Sequence, residues 1–193
     1  MTVGLFFGSF NPIHTGHLIM ANLILEDAGL DQVWFVVSPQ NPFKQAKSLA
    51  HEFDRIDMVR AAIEGNYRFA ASDVEFNMPK PSYTVDTLVY LKGKHPDVAF
   101  KVLMGQDNLT HIHKWKNYKV ILDDFGLVVY PRGGKEDAKA STPVQHHNIK
   151  HVQSPLLHIS ATMIRQRVRD QKSIQYIVPS AVADIILSRK LYL

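Results

Sequence analysis

The stretch VGLFFGSFNPIHTGHL, residues 3–18, decides how this chain reads. Its apolar run VGLFF is strand-like, a turn-rich Gly8-Ser9-Phe10-Asn11-Pro12 follows, and a helical pattern opens at His17 with His14 and His17 at its mouth. A first strand that turns directly into a first helix brings backbone N–H groups and the positive end of a helix dipole to one sheet edge, an arrangement suited to phosphate. Neither common phosphate loop is present. Gly8 and Gly16 are separated by seven residues and followed by His17, not by Lys-Ser/Thr, and no G-x-G-x-x-G occurs in the turn. His14 and His17 lie three residues apart, so a helix beginning near residue 13 or 14 places both imidazoles on one face of its first turn. There they can donate to phosphate oxygens and stabilise charge that develops on them. A metal site is the competing reading, but the loop has no Cys and no carboxylate to complete a zinc ligand set. Capping with packing is the third, and spacing alone leaves it open.

Outward from this stretch, strand-like runs recur at residues 33–37, 98–104 and 125–130, with a weaker one at 68–74 and a short one at 148–152. Helical patterns fall at 17–28, 52–64, 84–94, 117–123, 161–170 and 180–190, the last with Val182, Ile185 and Ile186 on one face. Runs such as VWFVV and FGLVVY are apolar on both faces, as in strands covered on both sides. Alternation of such strands with helices predicts an α/β, doubly wound, mostly parallel sheet, Rossmann-like, with a small C-terminal helical portion. Ligands of such sheets sit beyond the carboxyl ends of the strands, so the segments after each strand are the places to search.

The totals bound the rest. With 193 residues, 46% of them hydrophobic, a single domain over residues 1–193 is the economical count. There is no cysteine, hence no disulfide framework and no thiolate metal site. No basic leader or spanning apolar run of ~18 residues is visible, which predicts a cytoplasmic protein with no membrane partner. Lys and Arg total 22 against 18 Asp and Glu, a net charge of +4 with ten neutral histidines. That excess suits small anionic ligands and lacks the dense basic clusters of a nucleic-acid surface. Two letter matches are set aside: Arg132-Gly133-Gly134-Lys135 has no helical pattern close behind it, and Asp124-Phe125-Gly126 lacks the other kinase signatures.

A second anion site is legible near the end. In Ile159-Ser160-Ala161-Thr162-Met163-Ile164-Arg165, Ser160 sits where an N-cap belongs, and Arg165 brings a planar donor fork about one turn on. Together the two stretches bracket a polyphosphate. GSFNPIHTGHL resembles the first signature of the nucleotidyltransferase superfamily, whose H-x-G-H core is here His14-Thr15-Gly16-His17, and ISATMIR resembles its second, I-S-x-T-x-x-R.

Further stretches resemble one branch, the bacterial nicotinate-nucleotide adenylyltransferases: Ser82-Tyr83-Thr84-Val85-Asp86-Thr87-Leu88, Gly105-Gln106-Asp107, Trp115, and Ser173 through Pro179 with the closing Leu191-Tyr192. The resemblance implies transfer of AMP from ATP to nicotinate mononucleotide, with pyrophosphate as the other product. It implies that His14, His17, Lys44 and Arg165 act on the phosphates, with Mg²⁺ held mainly by phosphate oxygens and no protein metal site. It further implies ATP contacts from Gly8, Ser9, Phe10, Gly105, Asp107, Ile159, Ser160 and Thr162, and acceptor contacts from Lys44, Tyr83, Thr84 and Trp115. Thr84 opens a helix whose first amides suit a carboxylate, and Trp115 offers a face for a pyridinium. The Gly8-Ser9-Phe10-Asn11-Pro12 turn is closer to nicotinamide mononucleotide adenylyltransferases, and Lys116 stands where the branch often has a second aromatic. Nicotinamide mononucleotide therefore stays open as acceptor; the pantetheine-phosphate branch, which shares both phosphate motifs, is a rival against which S-Y-T-V-D-T-L and Trp115 argue, and a non-catalytic nucleotide sensor and a homo-oligomer stay open as well.

Overall fold

A computed structural model describes residues 1–39, 49–131, 144–155 and 157–193. Among the described residues six strands, β1 (Thr2–Gly8), β2 (Gln32–Val37), β3 (Phe69–Ser72), β4 (Ala99–Gly105), β5 (Leu127–Tyr130) and β6 (Ile149–His151), form one sheet in the order β3-β2-β1-β4-β5-β6. Every pairing is parallel, with Gly8 beside Val37 and Gly105 beside Tyr130 at the carboxyl edge. The helices are α1 (Thr15–Ala28), α2 (Glu52–Ile63), α3 (Thr84–Lys94), α4 (Gln106–Leu109), α5 (Tyr118–Val120), α6 (Ala161–Arg169) and α7 (Ser180–Ser188). The doubly wound α/β architecture read from the sequence is the one observed.

Strand alternation sorts the core into two layers. Phe6, Phe35, Val37, Leu103 and Val128 pack with Ile24, Ile56, Ile164 and Val182 from α1, α2, α6 and α7. Val3, Leu5, Val102 and Val129 pack with Leu88, Leu109 and Ile121 on the other face. All four residues of β5 are buried, which explains why its sequence shows no polar alternation. From β1 the chain winds one way through β2 and β3, then returns past β1 to β4 and continues to β6. The loops after β1 and β4 thus diverge and leave a crevice between them. Both phosphate motifs border it, because α1 and α6 share the same layer.

Element ends differ from the sequence reading where tertiary contacts intervene. Helix α1 starts at Thr15, two residues early, because the Thr15 N–H and Oγ1 both donate to the Ile177 carbonyl, at 3.0 and 2.8 Å. The expected helix at 117–123 is one turn of α5 followed by a π turn, Ile121–Phe125. That turn draws Phe125 into the α3 layer, and β5 begins only at Leu127. Among the described residues no helix is long and apolar enough to cross a membrane.

Candidate active site

The loop after β1 is folded from within. Phe10 has φ of 42°, and its ring lies back across Gly8, where an added Cβ would stand 2.8 Å from Phe10 Cζ. The Phe10 side chain is buried, so its part in the site falls to its main chain. His14 is the N-cap residue of α1, not a member of its first turn, and its N–H donates to His17 Nδ1 at 3.2 Å. A Nδ1 that accepts leaves the neutral ring's proton on Nε2, so His17 presents a donor on its far side. The two imidazoles stack at 3.7 Å, and the edges of Phe10 and Phe6 hold the His17 ring at 5.2 and 6.0 Å. Gly16 makes this possible: a Cβ there would sit 3.0 Å from His14 Nδ1 and 3.5 Å from Ile159 Cβ. Ile159 opens the second motif, and the two motifs meet at this glycine.

At the second motif Ser160 caps α6, its Oγ accepting from the Met163 N–H at 3.2 Å, as expected. Arg165 donates from Nη1 to the Asn11 carbonyl at 2.8 Å and from Nη2 to Thr162 Oγ1 at 3.3 Å, while its Nε is buried without an acceptor among the described residues. Burial lowers its pKa, so the guanidinium lies in a site that would welcome an anion. Asn11 also ties the loop to the segment before α2, its Oδ1 accepting from the Ala50 N–H at 3.1 Å.

Against this cluster lies Tyr192, whose hydroxyl is buried with no partner among the described residues. Burial raises its pKa, with Arg165 and Arg55 pulling the other way. With a folded pKa above the unfolded value of about 10, the titration of this group leaves stability unchanged below pH 10 and lowers it as pH rises from there through the folded value. Tyr192→Phe is expected to raise stability at pH 7 by about 1 kcal/mol, since it deletes an unsatisfied hydroxyl. In thermal melts the variant should also lose less stability than the parent above pH 10.

Two buried charged residues that shape the surroundings of the site escape the sequence reading. Arg55, in the first turn of α2, is 0% exposed. Its Nε donates to the Ala50 carbonyl at 2.9 Å, Nη1 to Ser9 and Ser38 at 2.6 and 2.8 Å, and Nη2 to Pro39 at 3.0 Å. Glu75, in the turn after β3, is 2% exposed and accepts from Ser82 Oγ at 2.9 Å and Thr87 Oγ1 at 2.8 Å. Ser82 and Thr87 of the S-Y-T-V-D-T-L stretch thus fix the entry to α3, which begins at Thr84 as expected. Glu75→Ala removes the carboxylate from both hydroxyls, leaving Thr87 the longer bond to the Tyr83 carbonyl at 3.4 Å, and is expected to cost about 1–3 kcal/mol of stability, read as a lower melting temperature.

On the acceptor side, Tyr83 is the N-cap residue of α3 and is exposed. Lys116 Nζ stands 4.8 Å over its ring and pairs with Asp86 at 2.8 Å, which draws the segment after β4 onto the first turn of α3. Trp115 is half-buried against the α3 layer beside it. Gly105 caps α4 and Asp107 is exposed in its first turn, its carbonyl accepting from Thr110 Oγ1. Asp107 thus lies at the carboxyl edge, just after β4. Lys44 and the Arg132–Lys135 stretch lie outside the described residues. Among the described residues no group of three or more His, Cys, Asp or Glu could hold a metal ion. The donors gathered here are of the kind that bind phosphate oxygens.

Residues 5–167 match the cytidylyltransferase-like family, the class of nucleotidyltransferases that this sheet and its paired phosphate motifs define. A Cytophaga hutchinsonii protein named "Probable nicotinate-nucleotide adenylyltransferase" is 55% identical over 192 residues, 100% of this chain and 98% of its own. A Flavobacterium psychrophilum protein of the same name is 43% identical over 182 residues, 94% of each chain. The chain belongs to the nicotinate-nucleotide adenylyltransferase family. In fold it is similar to the Plasmodium falciparum nicotinic acid mononucleotide adenylyltransferase complexed with NaAD, with a TM-score of 0.79 at 19% identity over 99% of this chain and 97% of that one.

Proposed function

We propose that this chain, as one nucleotidyltransferase domain, transfers AMP from ATP to nicotinate mononucleotide and releases pyrophosphate. The observation that supports this most is the union of the two phosphate motifs through Arg165 on the Asn11 carbonyl at 2.8 Å. An oxygen of the mononucleotide phosphate attacks the α-phosphorus in line, the new P–O bond forms, and the bond to the bridging β-oxygen breaks. The nucleophile is already an anion, so neither a general base nor a covalent enzyme intermediate is required. His17 Nε2–H and Arg165, with His14 behind the first, carry the charge that grows on the phosphoryl oxygens and the leaving pyrophosphate. Lys44 is assigned to the same phosphates. Mg²⁺, bound through the phosphates, supplies further charge neutralisation. The main chain of Gly8 through Phe10, with Gly105, Asp107, Ile159, Ser160 and Thr162, lines the ATP side. Tyr83, the first amides of α3 at Thr84 and the face of Trp115 take the nicotinate, the amides its carboxylate and the indole its pyridinium.

Pyrophosphate release from ATP and Mg²⁺, measured with nicotinate mononucleotide, nicotinamide mononucleotide or phosphopantetheine in turn, tests this reading. The fastest release is expected with nicotinate mononucleotide and none with phosphopantetheine. ATP binding without pyrophosphate from any acceptor would overturn it in favour of a nucleotide sensor.

A further inference from the structure

Arg55 carries a buried charge that pairs with no carboxylate among the described residues. The acids on its own helix are taken by other cations: Glu52 pairs with Lys80 at 3.2 Å, and Asp54 and Asp57 pair with Arg189 at 2.7 and 2.9 Å. Its own partners are four main-chain carbonyls, which contribute dipoles but no net charge. Leaving a cation buried in this way is costly unless something else in the protein's working cycle compensates it. Burial indeed lowers its pKa, only partly offset by Tyr192 and Glu52.

The carbonyls it holds belong to three separate segments that converge on the crevice: Ser9 in the loop after β1, Ser38 and Pro39 after β2, and Ala50 before α2. The Ser9 contact has a stereochemical consequence. In a trans peptide the C=O and the following N–H point in opposite directions, so a Ser9 carbonyl turned inward to Arg55 turns the Phe10 N–H outward. Among the described residues that N–H donates to no acceptor.

We propose that Arg55 is a positioning residue for polyphosphate: it aims the Phe10 amide at the crevice and supplies, from beneath the loop, a positive charge that the bound phosphates neutralise. It touches no phosphate and acts through the Ser9–Phe10 peptide and through its field. This inference rests on the proposed use of the loop for ATP phosphates, but not on which acceptor is used.

The test uses inorganic tripolyphosphate as the probe, so that binding is read without acceptor or turnover. In the unaltered ¹⁵N-labelled protein, tripolyphosphate is expected to move the Phe10 amide resonance downfield and slow its exchange; an unmoved Phe10 amide overturns the proposal. In Arg55→Lys, which keeps a charge but not the four-way fork, tripolyphosphate affinity is expected to fall by about tenfold or more while adenosine affinity stays within about twofold. Equal losses for both probes, or no loss in folded protein, mark a purely structural arginine and overturn it. Should the variant not fold, the Phe10 measurement on the unaltered protein decides alone. The two readings fail separately: a shifted Phe10 amide without adenylyl transfer removes the enzyme assignment only, and transfer with an unmoved amide removes the role of Arg55 only.

Discussion

Replacing His17 with alanine is expected to lower turnover by about 2–4 kcal/mol in activation free energy, while ATP affinity changes far less. The asymmetry follows from geometry. His17 Nδ1 is engaged by the His14 N–H at 3.2 Å, and stacking against His14 together with the Phe6 and Phe10 edges fixes the ring plane. Its Nε2–H is thereby pre-oriented, and a pre-oriented donor contributes most where charge grows, in the transition state. His17→Gln, which can still donate, should recover part of the loss. Steady-state turnover beside equilibrium ATP binding checks this, and near-normal turnover in the alanine variant would remove His17 from the chemistry.

Replacing Arg165 with alanine is expected to act on both ground and transition states. The change removes a cation from the proposed polyphosphate site and also releases the Asn11 carbonyl, so the loop after β1 loses this tie to α6. Truncating a partly buried, hydrogen-bonded charge commonly costs about 2–5 kcal/mol, and here the KM for ATP should rise along with a fall in turnover. Arg165→Lys keeps the charge but cannot reach Asn11 and Thr162 as one planar fork, so it should restore less than half of the lost free energy. An unchanged KM for ATP in the alanine variant would show that Arg165 only ties the loop.

The parts that were legible in the sequence are those written in local patterns. Two-faced apolar runs such as VWFVV declared buried parallel strands, and I-S-x-T-x-x-R declared the helix start that Ser160 caps, now tied through Arg165 to the loop that carries H-x-G-H. The start of α1 was not legible, because it is set by Thr15 bonding to Ile177, far along the chain. For the same reason His14 turned out to cap the helix, and the pair of imidazoles stack instead of standing side by side on one face. The Phe10 ring fills the space over Gly8 and is buried, so any ligand contact of this residue falls to its main chain. Arg55 left a faint signal, a charged residue on the same stripe of α2 as Met58 and Val59, yet its meaning required four carbonyls from three segments. Glu75 left none, since its partners Ser82 and Thr87 read as an ordinary helix entry.

The stereochemical course at the α-phosphorus tests the central claim most directly. With ATP carrying a chiral α-phosphorothioate, nicotinate mononucleotide and Mg²⁺, the account expects a thio-substituted nicotinate adenine dinucleotide with inverted configuration at phosphorus, the mark of one in-line displacement. Retention of configuration, which requires a covalent enzyme intermediate, or failure to form the dinucleotide at all, would contradict it.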